Sequence, residues 1–336
     1  MKIITKTLII IFVAGLLMTV IAVYNGLSYS AINEFLDADD TFGEKIFYTE
    51  ESVINSIVLD IEDRSVFIAQ GTGDQVLFNY HAHEKDTWTI TENDGVLTIK
   101  QVKSRNILDW IDYKEITKAL KNTYITLPAT RDMTLDLSNR VGDISIYEND
   151  NYFEFIKVNM YVGNFGLRGV NVDDVDIKLR TGNMLFTNVI VDGDLDISNQ
   201  TGQVRLDGGD YQDVNIKNST GTIVLTNLNA LQLTLSTATG NISTNNVNVA
   251  NQMEASSGTG KVIVNNTTAS GYDLSTKTGE VVLVLPVLNS IKYDLATSTG
   301  RISLNGTTLG SPYLTQTGTV TLKVRVSTGD IRITIQ

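Results

Sequence analysis

Apolar residues recur at fixed offsets around a series of glycines. About Gly202 they are Leu195 and Ile197 on one side and Val204 and Leu206 on the other, each pair split by one polar position. The same four places hold Val175, Ile177, Met184 and Phe186 around Gly182, and Val214, Ile216, Ile223 and Leu225 around Gly221. From Leu135 onward the pattern passes through Gly142, Gly163, Gly182, Gly202, Gly221, Gly240, Gly260, Gly279 and Gly300. Spacing of roughly 20 residues throughout marks a one-dimensional repeat array.

Alternation on each flank predicts two short strands per coil with a corner between them. The corner must change the phase. A strand running straight through would put the apolar residues before and after the glycine on opposite faces. Thr-Gly supplies the change, because glycine accepts φ > 0 without steric cost. Thr181, Thr201, Thr220, Thr239, Thr259, Thr278 and Thr299 hold the preceding place and suit a ladder of stacked threonines. Val189 with Val191, and Val247 with Val249, mark a third apolar side. The expected architecture is all-β, a right-handed parallel β-helix (β-solenoid) with ~20-residue coils, about ten coils in a rod on the order of 50 Å long. An antiparallel meander would make each Thr-Gly a hairpin turn. Identical residues at one offset in successive coils favour the solenoid. Leucine-rich repeats share the period, but their Asn-centred consensus is missing.

The pattern is weaker at both ends. Ile57, Leu59, Val66 and Ile68 keep the spacing around Arg64, and Trp88, Ile90, Leu97 and Ile99 keep it around Gly95, which predicts two further coils. Val76–Tyr80 is another strand candidate. Residues 102–122 interrupt with Ile107, Trp110, Ile111, Tyr113 and Leu120 on one helical face, predicting a short amphipathic helix that caps or flanks the β body. Near the C-terminus Gly318 has Ser311 and Tyr313 where the two preceding apolar residues are expected, whereas Gly329 has Leu322, Val324, Ile331 and Ile333. The chain stops at Gln336 inside a strand. An open solenoid end is sticky, so it is expected to be shielded by the short final hairpin or paired with a second molecule.

Ahead of the repeats, Lys2 and Lys6 precede an apolar run from Leu8 to Val23 that is just long enough to cross a bilayer. The division expected is a cytoplasmic N-terminus at 1–6, a transmembrane anchor at 7–24 and a juxtamembrane linker at 25–50. N-terminal β coils follow at 51–130, and the solenoid repeats fill 131–336. The basic flank puts the N-terminus inside and the body outside, a single-pass protein of the cell membrane. A cleaved signal peptide is the rival reading, with Ser28 and Ser30 before Ala31 as its site. The run is longer than a usual signal core, which favours the anchor.

Composition narrows the partners. A formal charge of −12 and a pI near 4.6 argue against holding DNA or RNA through a phosphate-neutralising face. With no cysteine, neither disulfides nor thiolate metal sites are available, so stability comes from packing.

The run Tyr124-Ile-Thr-Leu-Pro-Ala-Thr, then Thr134-Leu-Asp-Leu and Val141-Gly-Asp-Ile-Ser-Ile146, leads into serial Thr-Gly-x-Ile/Val-x-Leu. It resembles the DUF4097 putative-adhesin family of bacterial β-strand repeat proteins, which includes LiaG-like membrane-anchored members. The likeness covers most of residues 50–336 and implies an envelope protein with a β-helix ectodomain, in some members tied to envelope-stress responses. It brings no catalytic motif, and the interruption at 102–122 departs from its plain pattern.

Individual chemistry is sparse. His81 and His83 share a strand face beside Glu84, but a metal site needs three or four ligands. An outward stripe of Asp136, Asp176, Asp196, Glu254, Asp273 and Asp294 could attract Ca²⁺ or a cationic partner. It lacks the glycine-aspartate repeat of calcium-binding β-rolls, and a solvated face explains it as well. Arg180, Arg205 and Asp207 to Asp213 are the nearest approach to a polysaccharide lyase or hydrolase face. Thr237/Thr239, Thr276/Thr278 and Thr297/Thr299 have the Thr-x-Thr form of ice-binding solenoids, though corner packing accounts for them. No catalytic, cofactor or metal residue is assigned. The expected role is non-enzymatic binding to an envelope component, surface polymer or membrane protein. Envelope-stress regulation is the second reading and a carbohydrate-active enzyme the third.

Overall fold

The computed structural model describes residues 42–50, 53–83, 86–103, 121–129, 131–147, 149–286 and 290–336. The anchor expected at 7–24 lies outside them, as do residues 104–120 of the expected helix at 102–122. Val102 and Lys103 end one strand and Asn122 opens the next. Among the described residues no helix is long and apolar enough to cross a membrane.

The described chain is all β, with strands joined in one continuous sheet. From residue 133 to residue 285 each coil pairs in parallel with the coils before and after it, in register. Leu195, for instance, lies between Val175 and Val214, and Val204 between Met184 and Ile223. This solenoid follows from the offsets in the sequence. Every fourfold set of apolar positions points inward, so Leu195, Val204, Leu206, Val214, Ile216, Ile223 and Leu225 are all within 2% of full burial. The third side is also present, as a column of Phe153, Val172, Val191, Tyr211, Ala230, Val249 and Ala269.

Corners show why glycine is required. Gly182, Gly202, Gly221 and Gly240 have φ between +136° and +149°, and a Cβ on Gly202 would lie 1.9 Å from the carbonyl oxygen of Gly182. Each corner carbonyl turns inward. At most corners the residue three places before the glycine supplies a donor, as with Asn218 Nδ2 to Gly202 O, Ser257 Oγ to Gly240 O and Thr276 Oγ1 to Gly260 O, each at 2.9 Å. Thr237 and Thr297 do the same, so the first threonine of each Thr-x-Thr pair faces the core. Met160, Leu179 and Val326 instead fill that place with apolar side chains. A second corner was missed by the apolar pattern. It lies six residues after the glycines from Gly163 to Gly260, where Gly169, Asn188, Gly208, Asn227, Asn246 and Asn266 all have positive φ.

Both ends depart from sequential stacking. Asp94 and Gly95, both at positive φ, form a two-residue hairpin turn between Asp86–Asn93 and Val96–Lys103, with Ile90 opposite Ile99. The coil expected at Gly95 is thus corrected to an antiparallel hairpin. Asp-Gly is the residue pair such a turn prefers. Val96–Lys103 and Asn122–Leu127 together make the outermost parallel layer, stacked on Ser56–Asp63 and Ser65–Gln70. That layer, cornered at Arg64, stacks in turn on the Gly142 coil. Leu77–His83 runs antiparallel to Asn122–Leu127 and to Phe42–Tyr48, covering this end.

At the other end Val320–Thr328 and Ile331–Ile335 insert between the Gly279 and Gly300 coils. The last coil in sequence is therefore an interior layer. The end is shielded within the chain, as one of the two expected outcomes required, but by a different segment. Thr307–Leu309 folds antiparallel to Ile302–Leu304, and Tyr313–Leu314 antiparallel to Ile291–Thr299.

Candidate binding faces of the rod

Because coils are in register, each outward position becomes a column running along the rod, with neighbours ~4.8 Å apart. The acidic stripe foreseen in the sequence is real as a column but is charge-compensated. Lys157 enters it between Asp136 and Asp176 and pairs with Asp136 at 2.8 Å, while Lys323 enters beside Asp273 at 2.7 Å. Lys178 bonds Asp176 at 2.9 Å, Asn215 donates to Asp196 at 2.8 Å, and Arg325 meets Asp294 at 2.6 Å. The ion-paired side chains are 28% to 61% exposed, so each pair contributes on the order of 1 kcal/mol or less. Their effect is to remove the concentrated negative field that a divalent cation would seek. Among the described residues no group of three potential metal-ligating side chains converges.

A second acidic column lies one pleat away. Asp174, Asp194 and Asp213 follow one another in adjacent layers, and Asp174 Oδ1 accepts from the Asp194 backbone nitrogen at 2.8 Å. Partial desolvation, then the charges of Asp174, Asp213 and Asp196, raises the Asp194 carboxyl above its ordinary value. Tyr152, donating to Asp192 at 3.3 Å, is pushed the same way by partial desolvation and then by Asp173 and Asp192.

The second corner carries amides. Asn246 Nδ2 donates to Asn227 Oδ1 at 2.9 Å and Asn266 Nδ2 to Asn246 Oδ1 at 3.1 Å, while Thr268 bonds Asn248 at 2.6 Å. Asparagine tolerates the left-handed backbone there, and its side chain then bonds its counterpart one layer away. This ladder borders an open hollow of about 400 Å³ closed at one end by Pro286.

The glycine corner differs on its outer side in the N-terminal part of the rod. Arg140, Tyr161 and Arg180 occupy one outward column in three successive layers, fixed by the pairing of Asn139 with Met160 and Met160 with Leu179. All three are exposed, Tyr161 to 57%. Beside them is an open hollow of about 340 Å³ lined by Asn159, Tyr161, Lys178, Arg180, Ser198 and Gln200.

Other residues singled out in the sequence separate from one another. His81 Nδ1 is buried in the N-terminal cap with no hydrogen-bond partner among the described residues; Glu84 and the His83 side chain lie outside them. Arg205 pairs locally with Asp207 at 2.8 Å, in a different column from Arg180, so the two do not form one face. The N-terminal cap holds a buried ion pair between Arg64 and Asp86 that no offset indicated, with Arg64 lying 6.0 Å over the Trp88 ring. Trp88 packs on Tyr80 and Phe78 at 4.4 and 5.7 Å between ring centres. The signal that could have found this cap is the arginine in a glycine's place.

Comparison with known proteins gives a family match and several distant structures. The family model described as Toastrack DUF4097 matches residues 54–334. A putative adhesin from Parabacteroides distasonis is 13% identical, with 72% of this chain and 97% of that one covered at a TM-score of 0.40. A putative adhesin from Bacteroides fragilis is 11% identical, with 87% and 97% covered at a TM-score of 0.38. For a putative cell adhesion protein from Clostridium sporogenes the values are 13% identity, 88% and 100% coverage and a TM-score of 0.28. No curated protein sequence matches the chain.

Proposed function

The chain belongs to the Toastrack DUF4097 family, and from that premise we propose a membrane-anchored cell-envelope protein whose β-solenoid body stands outside the membrane and acts by binding a surface component. One observation carries this reading. The in-register ladder turns each outward position into a rigid column, so side chains far apart in sequence are displayed as a continuous strip. Such a surface suits an extended partner held at many weak points. Placement of the body outside rests on Lys2 and Lys6 ahead of the apolar run at 7–24. We read the winding as right-handed, the hand almost always taken by parallel strands joined through a crossover.

Expression of the full chain in bacterial cells, followed by fractionation and protease treatment of intact cells, tests the placement. The full chain is expected in the membrane fraction with its body cleaved from outside, and a variant lacking residues 1–25 is expected in the soluble fraction. A body protected from external protease, or membrane retention without residues 1–25, would sink the topology. Retention of the full chain on isolated envelopes then tests binding: no retention above that of an unrelated acidic protein removes the binding role.

A further inference from the structure

Basic residues on the strand faces are mostly neutralised by a carboxylate in their own or the next layer, as at Lys157, Lys178, Arg205, Lys323 and Arg325. Arg140 and Arg180 have no ion pair among the described residues, although the whole chain carries 38 acidic groups against 26 basic ones. They flank Tyr161 in successive layers, ~4.8 Å away on each side. An exposed aromatic ring between two guanidinium groups, Arg140 with Glu62 in the next layer of its column and Arg180 with Gln200, beside a hollow edged with amides and hydroxyls, is a combination found at no other described column.

We propose that this corner binds an anionic glycan polymer, with a sugar ring against Tyr161 and the oxyanions of the same polymer on Arg180 and Arg140. This deepens the binding reading above and rests on it. The flat face of the phenol ring suits the C–H face of a pyranose, and the phenol hydroxyl stays in water. A guanidinium offers a planar fork that matches a carboxylate or a phosphodiester bidentately. Asn159, Ser198 and Gln200 offer both donors and acceptors, as sugar hydroxyls require. The polymer would run along the rod axis, meeting Arg140, Tyr161 and Arg180 in turn.

Net charge limits the ligand further. At −12 the protein as a whole repels polyanions, so a ligand held by charge alone, such as a nucleic acid, is disfavoured. A sugar polymer with spaced charges meets only the local cations, since charges beyond a Debye length of ~8 Å are screened at physiological salt. Asp176, on the same strand as Arg180, is already engaged by Lys178, and Glu62 lies at the far end of the column, beside Arg140.

The test uses the full chain in detergent, titrated by calorimetry with three probes: a polyuronate oligosaccharide, a sugar-phosphate polymer and an uncharged β-glucan. Binding of either anionic probe, weakened by salt, is the expected result, and which one binds identifies the source of the oxyanion. Arg180→Gln should weaken it about tenfold or more and flatten the salt dependence. Tyr161→Ala should weaken it with the salt dependence unchanged. Lys277→Gln, at the same outward position of a distant layer, should leave it unaltered. Unchanged melting temperatures establish that these exposed substitutions leave the fold intact. Binding only of the uncharged glucan, no binding, or anionic binding indifferent to Arg180 and Tyr161 each overturns the proposal. Envelope retention by the Tyr161→Ala/Arg180→Gln variant equal to the unaltered chain would overturn this site while leaving the general binding role standing. Loss of retention by the unaltered chain would end both.

Discussion

At the scale of single residues the corner glycines are the least replaceable part of the chain. A Cβ on Gly221 would lie 1.9 Å from the Gly202 carbonyl oxygen, a backbone atom that can retreat only by parting two layers. Gly221→Ala is therefore expected to cost about 3 kcal/mol or more in urea unfolding. Gly43→Ala, with nothing within 4 Å, should stay within ~0.5 kcal/mol. Equal effects at the two sites would refute the corner argument. Asp194 shows a milder conflict, written into the ladder itself: stacking in register sets its carboxylate beside Asp174 and Asp213. Partial desolvation, then these neighbouring charges, raise its pKa in the folded state above the ordinary carboxylate value, so folding favours the protonated form and stability falls as pH rises through the carboxylate range. Asp194→Asn should raise the melting temperature at neutral pH, and the gain should fade in acid once the native carboxyl is protonated. A gain that persists undiminished at pH 3 would point to a cause other than charge. The left-handed corner at Asn188, Asn227, Asn246 and Asn266 was readable in principle, since Asn or Gly recurs six residues after every corner glycine from Gly163 to Gly260. The apolar offsets do not show it, because the residues at this corner are polar or glycine.

At the scale of elements, offsets alone could not separate a solenoid corner from a hairpin. Trp88, Ile90, Leu97 and Ile99 stand around Gly95 as their counterparts do around Gly202, yet one chain segment turns back and the other goes on. The distinguishing residue is the one before the glycine. Asp94 adopts positive φ, so two consecutive left-handed residues reverse the chain, whereas a β-branched threonine before a single glycine keeps it extended. The hairpin also carries Asp86 to Arg64, whose side chains are 2% and 1% exposed. Removing one partner leaves an uncompensated buried charge, so Asp86→Ala should cost about 3–5 kcal/mol. The paired change Arg64→Met with Asp86→Leu should recover most of that loss in chemical denaturation. A single substitution without effect would mean that water reaches the pair.

At the scale of the whole molecule, layer order departs from chain order at both ends, and the C-terminal departure has a measurable consequence. Tyr272, Leu322 and Tyr293 lie in consecutive layers, as do Leu274, Val324 and Leu295. Backbone amides at Leu322 and Val324 should exchange with solvent as slowly as those at Leu274 and Thr276, although they lie near the chain's end. Exchange faster by orders of magnitude, as for a fraying terminal strand, would refute the inserted position. By itself the sequence determined the strand repeat, the inward residues, the Thr-Gly corner and the family, because each depends on neighbours within one coil or at one fixed offset. Only the tertiary structure decided which layer lies on which, how the ends are covered, and that Arg140, Tyr161 and Arg180 stand in one outward column. The physical reason is that all coils share one apolar pattern, so any could stack on any other. The choice among them is made by caps, ion pairs and chain connections that join residues far apart in sequence.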